Sequence, residues 1–103
     1  MAQDISRRMK LQQLLKAITP NVYFQPPSGV KMEYPCIRYK FDYEDIKHSN
    51  GAPYKLERRY LLTVIDRDPD SELPRKVAML PRTSFSGTLI SDGLNHSMYN
   101  IYY

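Results

Sequence analysis

Between Tyr60 and Ile65, apolar residues fill consecutive positions instead of alternate ones. Tyr60, Leu62 and Val64 fall on one face of a period-two strand, and Leu61, Thr63 and Ile65 fall on the other. A strand apolar on both faces belongs in mid-sheet, with a covering layer on each side. A chain of 103 residues has enough helix to cover one face. The shortfall on the second face points to a partner, and another copy of the chain is one candidate.

The pattern on either side predicts the remaining elements. Leu11, Leu14, Leu15 and Ile18 make one helical stripe, capped by Asp4 or Ser6 and stopped at Thr19-Pro20. Met1, Ile5 and Met9 recur every four residues on a different side of that helix. Val22 to Gln25 reads as a short strand, and Pro26-Pro27-Ser28-Gly29 turns the chain. From Tyr34 to Asp42, Ile37, Tyr39 and Phe41 alternate with polar residues, which predicts a strand with one buried face. Glu44 to Pro53 reads as a polar loop with an exposed tip at His48-Ser49-Asn50-Gly51-Ala52-Pro53, between two strands long enough to pair as a hairpin. After the acidic turn Asp66-Arg67-Asp68-Pro69-Asp70, an Asp70 or Ser71 cap starts a second helix with Leu73, Val77 and Leu80 on its inner face, and Pro81 ends it. Thr83–Ile90 and Asn95–Tyr103 read as strands around Ser91-Asp92-Gly93. The expected fold is α+β: a mixed, mainly antiparallel sheet of about four to five strands with helices on one face, in a single domain over 1–103.

Composition refines this picture without changing it. Nine tyrosines, eight prolines and no tryptophan favour strands, turns and amphipathic contact surfaces. A single cysteine, Cys36, cannot form an internal disulfide, so a reducing compartment is expected. The apolar runs are far shorter than the roughly 20 residues that span a bilayer, and no membrane association is expected. A formal charge of +4 permits contact with polyanions but concentrates in no basic tail.

Candidate chemistry is sparse. His48 and His96 lie in separate segments and Cys36 has no neighbouring thiol, so no metal or other cofactor is expected. Asp66, Asp68 and Asp70 are spaced like the opening of a calcium loop, but the glycine and the closing glutamate are missing, so the segment reads as a turn leading into a helix cap. The serines lack a glycine-flanked elbow and the four glycines stand singly, which leaves neither a nucleophile nor a phosphate cradle. No enzymatic activity is expected. Arg7, Arg8 and Lys10 on the first helix, with Arg58 and Arg59 on the central strand, are the candidates for contact with DNA, although alternation sends Arg58 and Arg59 to opposite faces.

The segments Val22-Tyr23-Phe24-Gln25-Pro26-Pro27, Tyr34-Pro35-Cys36-Ile37, Thr63 to Glu72 and Asp92-Gly93-Leu94-Asn95-His96 resemble those of the tail terminator, or tail completion, proteins of tailed bacteriophages. The resemblance runs over nearly the whole chain in element order, on diffuse motifs. It implies a small α+β virion subunit, assembled in the host cytoplasm, that forms a homo-oligomeric ring, commonly a hexamer. That ring caps the head-proximal end of the tail tube and joins it to the connector and neck proteins, with DNA passing through and touching it only transiently. A head completion or neck adaptor protein is the alternative within the same particle, and a small nucleic-acid-binding module is the alternative outside it. On this reading Met1, Ile5, Met9, Leu61 and Ile65 are candidates for the subunit interface. His48, Ser49, Asn50 and Gly51 are candidates for contact with the tube or connector. The sequence shows no long insertion assignable to a docking arm.

Overall fold

The computed structural model describes residues 6–103. Helix α1 (Arg7–Lys16) is followed by strands β1 (Val22–Phe24), β2 (Cys36–Ser49) and β3 (Ala52–Asp66), helix α2 (Leu73–Ala78), and strands β4 (Thr83–Ser91) and β5 (Leu94–Tyr102). The strands form one sheet in the order β1-β2-β3-β5-β4. β1 runs parallel to β2, and all other pairs are antiparallel. β3 and β4 therefore point the same way with β5 inserted between them, so β3-α2-β4 is a split crossover. The α+β expectation holds, with both helices short.

Register fixes the two faces. Ile37 lies opposite Val64, Tyr39 opposite Leu62 and Phe41 opposite Tyr60, and the rows continue through Tyr99 and Ile101 on β5. Leu11 and Leu15 of α1 and Val77 of α2 are fully buried on this face, with Leu14, Ile18, Leu73 and Leu80 packed at the margin. The sequence stripes thus sit where periodicity placed them. Helix α1 starts at Ser6, whose hydroxyl accepts the Met9 amide at 3.2 Å. That hydrogen bond satisfies one of the orphan donors of the first turn.

The opposite face is less apolar than β3 alone suggests. Arg38 lies opposite Thr63, Lys40 opposite Leu61, and Asn100 beyond Leu61, so polar side chains from neighbouring strands stand beside the second apolar row. Among the described residues, cover is present only at one end, where the segment after β1 folds back. The Tyr23 hydroxyl accepts the Glu33 amide at 3.0 Å, and the Arg67 guanidinium lies 5.8 Å from the Tyr34 ring centre. Cys36 and Ile65 are buried at that end, with Ile65 only 1% exposed.

The acidic turn is held by its own carboxylates. Asp66 accepts the Asp68 amide at 3.0 Å and Asp68 accepts the Asp70 amide at 2.9 Å, so these side chains serve as backbone-turn acceptors. The N-cap of α2 is Glu72 rather than Asp70 or Ser71, and the Ser71 hydroxyl, one residue earlier, accepts the Leu73 amide at 3.2 Å. Pro74 sits in the first turn, where its missing amide costs little.

One expectation fails. Glu44 to Pro53 is not a loop, because β2 continues to Ser49 and β3 starts at Ala52. Asn50 and Gly51 close the hairpin with φ of 53° and 77°, the paired left-handed conformation of a two-residue turn whose twist matches the strands. Asp92 and Gly93 do the same between β4 and β5, with φ of 52° and 73°. Since β5 pairs with β3 only from Arg59 to Asp66, the outer part of the β2-β3 hairpin projects beyond the sheet. The β2-β3 hairpin is therefore a projecting arm where a polar loop is expected.

Candidate functional site

The surfaces available for function are the arm, the outer edge of β4, and two concavities, one on each sheet face. Along the arm, Ile46 lies opposite Leu56, each 48% exposed, and Tyr54 is 66% exposed. By alternation Leu56 and Tyr54 continue the Tyr60 row, so the apolar stripe of the core face runs out past its helical cover onto the arm. A solitary two-stranded ribbon is marginal in water. This one presents greasy side chains where a free-standing ribbon would carry polar ones.

The arm's charges are paired, mostly with one another and in one case with Arg82, which precedes β4. Lys47 meets Asp45 at 3.1 Å, Lys55 meets Glu57 at 3.0 Å, Arg82 meets Glu57 at 2.9 Å, and Arg58 and Arg59 face Glu44 and Asp42 at 3.8 and 2.8 Å. The hydrogen bonds from Lys55 and then Arg82 hold the Glu57 carboxyl below its ordinary range. Such exposed pairs add little stability, but they leave the arm without a net field that would repel a partner.

Strand β4 is the opposite case. Thr83-Ser84-Phe85-Ser86-Gly87-Thr88-Leu89-Ile90-Ser91 contains no charged residue and no proline, although it is an edge strand. Phe85 is 63% exposed and Ile90 74%. Soluble proteins guard such edges with lysine, proline or a covering segment. Among the described residues, a single bulge at Ser86 is the only such device on this strand.

On the helix face, Ser6, Arg7, Arg8, Leu56, Arg58, Tyr60 and Tyr103 line a cleft of about 510 Å³. The structure thus brings Arg7, Arg8 and Arg58 together, a grouping that sequence separation hid. They are not equally free. The Arg8 guanidinium stacks 4.4 Å from the Phe24 ring centre and donates to the Tyr39 hydroxyl at 3.1 Å and to Gln12 at 3.4 Å. Tyr39 in turn donates to Gln12. Burial raises the Tyr39 phenol above its ordinary range, and the Arg8 hydrogen bond opposes that rise. Arg8 is therefore part-buried and held against its own chain. Arg58 lies over Phe41 at 5.4 Å, and Arg59, on the other face, lies over Tyr43 at 4.9 Å. Arg7, at the cleft's rim, and Lys10 are both exposed.

The second concavity, about 430 Å³, lies on the opposite face between Pro26, Arg38, Lys40, Leu61, His96 and Met98. Leu61 is half-buried in it. Ile65 is covered by its own chain and leaves the set of possible interface residues. Met9 is 40% exposed on α1, whereas Met1 and Ile5 lie outside the described residues. His48, Ser49, Asn50 and Gly51 are all exposed at the arm's tip.

No group of three histidine, cysteine or carboxylate side chains is placed to hold a metal among the described residues. No helix among them is long and apolar enough to cross a membrane. Cys36 is buried, and burial pushes its thiol up to about 11, away from the reactive thiolate. Compared with protein-family models and with curated proteins, the chain matches none.

Proposed function

We propose that this chain is a structural virion protein: a tail terminator or tail completion subunit whose copies form a ring. The ring, a hexamer on the resemblance, caps the head-proximal end of the tail tube, joins it to the head connector and lets DNA pass. The chain carries out no chemical step.

The observation that carries this reading is the distribution of exposed apolar residues. Phe41, Tyr43, Ile46, Tyr54 and Leu56 sit on or at the base of the arm, and Phe85, Leu89 and Ile90 sit on β4. Scattered singly they would need no explanation, but gathered on a projecting ribbon and an unguarded edge they mark contact surfaces. The sequence resemblance supplies the assembly in which such contacts close. The nucleic-acid module is less well supported, because Arg8, Arg58 and Arg59 are occupied by partners in their own chain.

Electron microscopy of particles made without this protein tests the reading. Tails of uncontrolled length, or tails detached from heads, are expected. Intact tails beside leaking heads would assign the chain to the head side of the neck, and normal particles would refute a role in assembly.

A further inference from the structure

The sheet has two open edges, on opposite sides. One is β4, nine residues without a charge. The other is the outer edge of β2 beyond Phe41. β1 covers β2 only at Ile37, Arg38 and Tyr39, and the Gln25 side chain caps the Phe41 amide at 3.0 Å. From Asp42 to Ser49 the outer edge of β2 has no strand beside it among the described residues. An edge strand offers a row of unpaired amides and carbonyls, which is a template for another strand.

Resting on the ring reading, we propose that β4 of each copy pairs with the arm strand Asp42–Ser49 of the next, so that the sheets join around the ring. Three observations select this occupant. The two edges lie on opposite sides of one sheet, the arrangement that makes a contact heterologous and able to close. Strand directions then make the junction antiparallel: β2 and β5 run one way, β3 and β4 the other, and rotation about an axis roughly along the strands preserves those directions. The arm brings its own apolar residues, Ile46 and Leu56, to meet Phe85 and Ile90, which lie on the same face of the sheet. Its charges are already paired within its own chain, so docking on an uncharged edge strands no ion.

The geometry also permits closure. β4 lies level with the Cys36–Phe41 part of β2, so neighbours must be staggered along the strands by about five residues or more, roughly 17 Å at ~3.4 Å per residue. Spread over the ~19 Å of four strand spacings, this inclines the strands by about 40° to the ring axis, within the ~35–45° of closed barrels. β1 ends below the junction and leaves it clear.

The test uses the full chain with Ser84→Cys and Lys47→Cys together, both exposed and by alternation on the face away from the helices, treated with a short bis-maleimide. Cys36 is buried and does not compete. A ladder of cross-linked species ending at the ring size is expected from the double variant and none from either single variant. Dimers from Ser84→Cys alone would show β4 pairing with its own copy and overturn the proposal. A closed oligomer in native mass spectrometry without cross-links would overturn the edge pairing while leaving the ring intact, and a monomer at millimolar concentration would overturn both. As a second variant, Phe85→Lys with Ile90→Lys places guards on the edge at exposed positions. It is expected to abolish the oligomer with an unchanged circular dichroism spectrum, and an oligomer that survives both lysines would contradict the proposal.

Discussion

Replacing Ile46 and Leu56 together by serine removes the apolar pair at the middle of the arm without touching the core. Each side chain is 48% exposed in the single chain. Full burial of such a side chain is worth ~1.5–3 kcal/mol, so covering the remaining half contributes about 1 kcal/mol for each residue, or about 2 kcal/mol for the pair. At 1.4 kcal/mol per tenfold, association at one contact should weaken by about 30-fold. The subunit itself should lose only the cross-strand pair, ~0.2–1 kcal/mol. Sedimentation velocity across a concentration series reads the first effect and chemical denaturation the second. An association midpoint that does not move, with the fold intact, would show that the arm's apolar face makes no contact and would refute the reasoning.

Other perturbations probe single links of the account. Tyr39→Phe deletes the hydroxyl shared by Arg8 and Gln12 and leaves part-buried polar groups unpaired, so urea denaturation should show a loss of about 1 kcal/mol. Gly51→Ala meets no atom within 4 Å, yet it places a side chain at a φ of 77°. It should therefore cost ~1 kcal/mol through backbone strain alone, seen as faster hydrogen exchange in the arm with unchanged protection at Leu62 and Val64. Cys36 should resist thiol reagents in the native state. Because its pKa rises from 9.0 to about 11 on folding, the folded chain holds a proton that the unfolded chain releases. Its contribution is complete below pH 9 and should be lost as pH climbs from 9 to 11, by roughly 2–3 kcal/mol. Cys36→Ala should flatten that slope.

Periodicity located the core well where one face decides burial. Tyr60, Leu62 and Val64, Leu11 and Leu15, and Val77 all lie on the faces their spacing implies, because period two and period 3.6 are properties of the backbone. It could not say what covers the second face. Ile65 shares that face with Leu61, but only Ile65 lies where the segment after β1 folds back, and no local pattern encodes that return. The arm is hard to read from the pattern because its strands carry charge pairs in place of clean alternation. Asn50-Gly51 was the signal that marks it, as Asp92-Gly93 marked the other hairpin. Arg8 reads as a surface cation by spacing, and its packing on Phe24 depends on β1 pairing in parallel with β2, a contact between segments that local periodicity does not specify.

The central claim is that the apolar arm and the unguarded β4 edge are covered by further copies of this chain. Native mass spectrometry of the purified protein across a range of concentrations tests it most directly. One closed oligomer of fixed size, giving way to monomer on dilution without passing through an open-ended series, is the predicted result. A monomer at every concentration, with fast-exchanging amides along both open edges, would contradict it.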